Sequence, residues 1–167
     1  MEVLRLYHQG VLLEQKKDLD QDGRFEIVTR YKDDEPVEQR KDANGDGRFD
    51  MVTRFKEGKP FYQEKDSNFD CKNDVFVHYD ARGYAEKIEE DTRHTGRIDR
   101  IRTYLNGEPI KVIYDADGDG FKETVTFFKK GKPSLQTQDA NRDGKPDTRI
   151  YFNARAEKER VVLSFDL

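Results

Sequence analysis

Apolar residues along this chain come in short alternating runs broken by polar, glycine-containing stretches. Phe25, Ile27, Thr29 and Tyr31 face one way while Val28 and Arg30 face the other, the period-two pattern of a half-covered β-strand. β-Branched and aromatic residues dominate such runs, and no 3.6-residue apolar stripe persists long enough for a helix. Between the runs, Gly10, Gly58, Gly83, Gly107 and Gly131 mark tight turns, and Pro36, Pro60, Pro109 and Pro133 follow such turns. Asn106-Gly107 is a strong hairpin signal, because both positions tolerate a positive φ. The predicted unit is strand, polar turn, strand, acidic turn.

That unit repeats. Asp18, Asp42, Asp66, Asp91, Asp115 and Asp139 recur every 24 residues with one step of 25, and each opens a nine-residue acidic segment: DLDQDGRFE, DANGDGRFD, DSNFDCKND, DTRHTGRID, DADGDGFKE and DANRDGKPD. An aromatic follows each segment, giving a column of Tyr31, Phe55, Tyr79, Tyr104, Phe128 and Phe152. Counting back 24 from Tyr31 reaches Tyr7, so the chain is expected to start partway through a seventh unit, as an excised piece of a longer array would. The extra residue of the 25-step falls between Tyr79 and Asp91, where a longer turn or a bulge is expected.

The fold class expected is therefore all-β. A single array over residues 1–167 would hold about seven antiparallel hairpins, with a half unit over 1–17 and repeats starting near 18, 42, 66, 91, 115 and 139. Second strands such as Val37–Lys41 and Phe61–Lys65 are polar on both faces, which favours an elongated open array over the alternative of a closed, barrel-like sheet.

Composition sharpens this. Charged residues are 40% of the chain, against about 25% in an average domain, and hydrophobic residues only 34%. A thick apolar core is not expected, so something else must help hold the chain. Cys71, the only cysteine, excludes an internal disulfide and any Cys/His zinc spacing. No run is apolar enough to cross a bilayer, and a net charge of −4 excludes a generic nucleic-acid binder.

The acidic segments suggest what replaces the core. Calcium takes six to eight oxygen ligands, and alternate residues of a tight loop can converge on one point. In the first loop Asp18, Asp20 and Asp22 would supply carboxylates, Gly23 the sharp turn, Arg24 a backbone carbonyl and Glu26 the closing carboxylate. The corresponding sets are Asp42, Asn44, Asp46, Arg48 and Asp50; Asp66, Asn68, Asp70, Lys72 and Asp74; Asp115, Asp117, Asp119, Phe121 and Glu123; and Asp139, Asn141, Asp143, Lys145 and Asp147. In the third loop Cys71 stands where glycine belongs, so it must adopt an unusual dihedral at a cost of about 1–2 kcal/mol. In the fourth, Arg93 and Thr95 replace two ligands; that loop is expected to be empty, with Arg93 pairing with Asp91 or Asp99 in place of an ion. About five calcium ions per chain are expected.

Helix-loop-helix calcium sites need a bidentate Glu at position twelve, where this chain has Thr29, Thr53, Val77, Arg102, Thr126 and Ile150. The shorter loop, with an acid at position nine, resembles the calcium loops between β-strands of integrin-α and FG-GAP domains. The 24-residue spacing is too short for their four-stranded blades, and is closer to the tandem DxDxDG repeats of bacterial envelope proteins and lipoproteins. This resemblance covers nearly the whole chain. It implies an exported calcium-binding repeat protein that is secreted, periplasmic or on the cell surface, and it carries over no catalytic residue.

The remaining chemistry is sparse. His8, His78 and His94 lie far apart in the repeat, no phosphate-binding glycine loop or nucleophile elbow occurs, and the loops account for 19 of the 35 acids. An enzyme is not expected. Two roles remain: a calcium-rigidified structural or adhesive element, and a binding module for polysaccharide or another polyanion, or for another envelope protein. The second draws on the aromatic column, as a platform for sugar rings, and on a basic row at Arg24, Arg48, Lys72, Arg97 and Lys145.

Overall fold

The computed structural model describes residues 1–164. Fourteen antiparallel strands account for its regular structure, and there are no helices among the described residues. Strand order follows the chain without a crossover or a return, so the sheet is open and not a barrel. The chain divides into two compact units, Met1–Tyr84 and Ala85–Leu167. The first holds β1 (Glu2–His8), β2 (Val11–Asp18), β3 (Ile27–Lys32), β4 (Glu35–Lys41), β5 (Met51–Lys56), β6 (Lys59–Lys65) and β7 (Val75–Tyr79). The second holds β8 (Ala85–Glu90), β9 (Arg100–Leu105), β10 (Glu108–Tyr114), β11 (Thr124–Lys129), β12 (Lys132–Gln138), β13 (Thr148–Phe152) and β14 (Lys158–Leu163). In each unit the acidic loops join strands at one edge and the polar hairpin turns join them at the other.

The hairpin turns are built from left-handed residues. In β3–β4 Asp33 and Asp34 both have positive φ, as do Glu57-Gly58, Asn106-Gly107 and Lys130-Gly131 in their hairpins. Two successive positive φ values match the twist of the flanking strands. The extra residue anticipated after Tyr79 lies in a five-residue connection, Asp80–Tyr84, in which Asp80 N–H donates to the Tyr84 carbonyl at 2.8 Å.

A bulge recurs at the aromatic column. Tyr31 pairs with Pro36 while Arg30 pairs with Glu38, leaving Val37 as the extra residue. Phe61, Ile110 and Ser134 occupy the same bulged position in their hairpins. Each of these four bulges follows a proline that has no N–H to give the ladder, whereas Leu13 and Glu159 bulge beside Tyr7 and Phe152 without one. No two rings of the column contact one another among the described residues. The reason is spacing: one repeat is two strands, roughly 9–10 Å, beyond the about 4.5–7 Å at which ring centroids interact.

The buried positions are almost all polar. Among the described residues Val77 is the one buried hydrophobic residue, whereas Asp18, Asp42, Asp50, Asp66, Asp74, Asp91, Asp99, Asp115 and Glu123 are buried, as are Thr29, Thr53 and Thr124. Along the strand centres, Gln39 Nε2 donates to Thr29 Oγ1 at 3.1 Å and Gln63 Nε2 to Thr53 Oγ1 at 2.9 Å. On the charged face, ions pair across strands, as in Arg54–Glu64 at 2.9 Å and Arg100–Glu90 at 2.8 Å. These pairs are part-exposed, so each contributes about 0–1 kcal/mol. Apolar burial is thin, as the composition implied.

Candidate metal loops

Each acidic loop is closed by its own first and last acids. Asp18 Oδ1 accepts the Gln21 N–H at 2.6 Å and its Oδ2 the Gly23 N–H at 2.9 Å, while Glu26 Oε2 accepts the Leu19 N–H at 2.6 Å. The same bonds recur at Asp42 and Asp50, at Asp66 and Asp74, at Asp115 and Glu123, and at Asp139 and Asp147. A buried carboxylate is costly unless its lone pairs are met, and backbone N–H groups meet them here. Successive loops are also laced together, since Asp42 N–H donates to the Glu26 carbonyl at 2.8 Å and Asp66 N–H to that of Asp50 at 2.8 Å.

Positions three and five form a second, looser layer. Asp22 Oδ1 accepts the Arg24 N–H at 2.8 Å, and Asp20 Oδ1 accepts the Asp22 N–H at 3.2 Å. The equivalents are Asn44 and Asp46, Asn68 and Asp70, Asp117 and Asp119, and Asn141 and Asp143. Asp20 and Asp22 are exposed, and each keeps its Oδ2 clear of protein donors.

Two loops bring their acids together tightly enough to hold a metal ion. One carboxylate oxygen from each of Asp18, Asp20, Asp22 and Glu26 lies within 4.8 Å of the others, and Asp115, Asp117 and Glu123 meet the same limit. No Lys or Arg among the described residues pairs with the four acids of the first cluster. Loops 42–50, 66–74 and 139–147 carry an amide at position three and so hold one fewer carboxylate.

The position-seven residues expected to lend a carbonyl, namely Arg24, Arg48, Lys72, Phe121 and Lys145, each donate their N–H to the acid at position five. Their side chains had a legible role that sequence reasoning missed: several run along the edge onto the next loop. Arg48 Nη1 lies 2.8 Å from Cys71 Sγ, and Arg97 Nη1 sits 3.3 Å from where a Cβ on Gly120 would be. The 23-residue offset between each of these basic residues and the glycine position of the next loop was the signal available. Cys71 itself has a φ of 70°, the left-handed conformation expected of it.

The fourth loop keeps the frame and changes the lining. Asp91 accepts N–H groups from Thr95 at 3.0 Å and Gly96 at 2.6 Å, and Asp99 accepts the Thr92 N–H at 3.1 Å and its hydroxyl at 3.0 Å. The Arg93 guanidinium does not pair with Asp91 or Asp99 as anticipated. It reaches the next loop instead, donating to the Ala116 carbonyl and lying 3.9 Å from Asp115 Oδ1. The oxygens of Asp91 and Asp99 are already taken by donors of their own loop, which leaves the half-buried side chain to reach the next one. A Cβ at Gly118 would fall 2.2 Å from Arg93 Nη1, so glycine is what admits this crossing. Arg142, from the sixth loop, pairs with Asp119 and lies 3.8 Å from Asp117. The 115–123 loop is thus flanked by two guanidiniums.

Two loop acids have shifted acidities. Burial works against ionisation of Asp91, but the N–H groups of Thr95, Gly96 and Arg93 and the nearby His94 outweigh it and hold its pKa below the ordinary value. Asp115 is likewise lowered: burial opposes, while the N–H groups of Gly118 and Gly120 and the Arg93 guanidinium prevail.

No protein family matches this chain, and no curated protein matches its sequence. Among the described residues no helix is long and apolar enough to cross a membrane.

Proposed function

We propose that the protein is a calcium-binding repeat module, working as a rigid structural or adhesive element of an exported or envelope protein rather than as an enzyme. The observation that carries the reading is the convergence of Asp18, Asp20, Asp22 and Glu26 within 4.8 Å. Four carboxylates that close repel one another strongly, and a hard divalent cation relieves the repulsion. All-oxygen donors favour calcium or magnesium over the softer metals. Calcium accepts irregular coordination by several carboxylates, whereas magnesium demands a near-ideal octahedron and keeps its waters. The resemblance of the loops to tandem DxDxDG repeats points the same way and suggests a compartment rich in calcium.

Rigidity follows from the energetics. Extracellular calcium modules often have dissociation constants near about 10⁻⁴–10⁻³ M, and at about ten times that concentration each site adds roughly 1.4 kcal/mol. About five sites would add roughly 7 kcal/mol, comparable with the whole stability of a small domain. In this reading the ions do what an apolar core does elsewhere.

Calorimetric titration of calcium into EDTA-stripped protein, followed by circular dichroism, tests the reading. About five ions per chain, with loop 91–99 empty, are expected. Saturation below two ions, or titration by magnesium as tight as by calcium, overturns it.

A further inference from the structure

The hairpin-turn edge, away from the acidic loops, carries two grooves at corresponding places, one in each unit. The first lies between the β5–β6 turn and the start of the following connection, and is lined by Lys56, Glu57, Lys59, Pro60, Phe61, Tyr79, Asp80 and Ala81. The second lies between the β11–β12 and β13–β14 turns, and its lining is the same set 73 residues on: Lys129, Lys130, Lys132, Pro133, Ser134, Phe152, Asn153 and Ala154. Their frames agree in detail. Lys59 Nζ donates to the Ala81 carbonyl at 3.2 Å, and Lys132 Nζ to that of Ala154 at 3.0 Å. Asp80 Oδ1 accepts the N–H groups of Arg82 and Tyr84 at 2.9 and 3.0 Å, and Asn153 Oδ1 those of Arg155 and Glu157 at 2.9 and 3.1 Å.

Four substitutions separate the linings: Phe152 stands for Tyr79 without its hydroxyl, and the other three change charge or size. Lys130 stands for Glu57, both with a φ of 53°, and Asn153 stands for Asp80. At the bulged position Ser134 replaces Phe61, where other hairpins carry Val37 and Ile110. Losing that bulk opens the groove from about 160 Å³ to about 370 Å³, inside the roughly 300–1,000 Å³ range of small-molecule sites. Losing both acids turns a balanced lining into one with three lysines and no carboxylate. Lys129 and Lys130 have no ion-pair partner among the described residues. Glu157, an acid outside the lining, accepts a hydrogen bond from Asn153 Nδ2 at 2.9 Å.

We infer that the second groove binds a uronate-bearing unit of an acidic polysaccharide. The Phe152 ring and Pro133 form an apolar wall suited to the flat face of a pyranose, and the ammonium groups of Lys129 and Lys130 take its carboxylate. Lys132, held by the Ala154 carbonyl, fixes the floor, and the Ser134 hydroxyl, which donates to the Phe127 carbonyl at 3.1 Å, keeps a lone pair for a sugar hydroxyl. An apolar wall beside point charges favours a charged sugar over a bare anion. The site uses no acidic loop and so stands whether or not the loops hold calcium.

An NMR amide-shift titration of the full chain with hyaluronan tetrasaccharide at low salt, with and without calcium, tests this. Shifts confined to residues 129–134 and 152–154 are expected, weakening at least tenfold as salt rises from about 0.05 M to about 0.5 M. Chitotetraose, neutral, and inorganic phosphate, lacking an apolar face, should each bind at least tenfold more weakly. The triple variant Lys130→Glu, Ser134→Phe, Asn153→Asp should abolish binding, and Glu57→Lys, Phe61→Ser, Asp80→Asn should raise the stoichiometry from one to two. Both sets use residues that this same frame already carries, so folding is not at stake. Equal affinity for phosphate, shifts spread over Arg24, Arg48 and Arg97 instead, or a triple variant that binds unchanged would each overturn the inference.

Discussion

Loops 18–26 and 91–99 have the same backbone frame and different linings, and the difference separates what makes the turn from what fills it. In both, the first acid accepts two N–H groups of the turn and the ninth accepts the N–H at position two. In the first, Asp20 and Asp22 converge on Asp18 and Glu26; in the fourth, Arg93 and Thr95 stand there and the turn still closes. Acids at positions three and five are therefore dispensable for the turn. Keeping carboxylates crowded where the fold does not need them costs repulsion, and a bound cation is the simplest compensation.

The broadest way to break this comparison is to remove calcium. If about five sites contribute roughly 7 kcal/mol, and a chain this size shifts by about 2–4 °C per kcal/mol, EDTA should lower the melting temperature by roughly 15–25 °C. Calcium should restore it and magnesium should restore much less. An unchanged melt would mean that hydrogen bonds and packing alone hold the sheet.

Next in size are the first acids. Asp18→Ala and Asp91→Ala should each destabilise the EDTA-treated chain by about 2–4 kcal/mol, because two N–H groups lose their acceptor in either loop. Added calcium should widen the gap for Asp18→Ala only. Urea melts in both buffers measure this, and an equal response to calcium would make the two loops functionally alike.

Position three and five substitutions should change stoichiometry with little effect on the apo fold. Asp20→Asn with Asp22→Asn should cost under about 1 kcal/mol in EDTA and remove one ion from the titration, since both side chains are exposed. Arg93→Asp with Thr95→Asp should add one ion in loop 91–99. A graft that leaves the ion count unchanged would show that convergence needs more than the side chains.

The smallest effect is on pH. The folded pKa of Asp91 is lowered, so its contribution to stability is complete above the unfolded value near about 3.9 and is lost as pH falls through the folded value. Asp91→Asn should flatten the acid limb of the stability curve below about pH 4. A limb as steep as that of the unaltered chain would assign the acid sensitivity to other carboxylates.

Much of this was legible because the repeat is local. Alternation around Thr29, turn signals such as Asn106-Gly107 and the spacing of the nine-residue segments are properties of neighbouring residues, and they led to hairpins joined by acidic turns. The left-handed φ at Cys71 followed from its place in the loop pattern in the same way. Arg93 could not be placed so: its partner depends on which loop lies beside it and on Gly118 leaving room. Nor does the regular spacing of the aromatic column say what its rings touch: two strands separate its members, and proline stands opposite Tyr31, Phe55, Tyr104 and Phe128.

By itself the sequence determined the secondary structure, the repeat and the identity of the loop acids, because period-two alternation and turn chemistry act over a few residues. Only the tertiary structure decided that the sheet stays open, that carboxylates rather than apolar side chains are the buried residues, and that Ser134 opens a basic groove which Phe61 fills in the other unit. The physical reason is that closure, burial and cavity shape depend on which strands and turns become neighbours in space, and a one-dimensional pattern leaves those distances free.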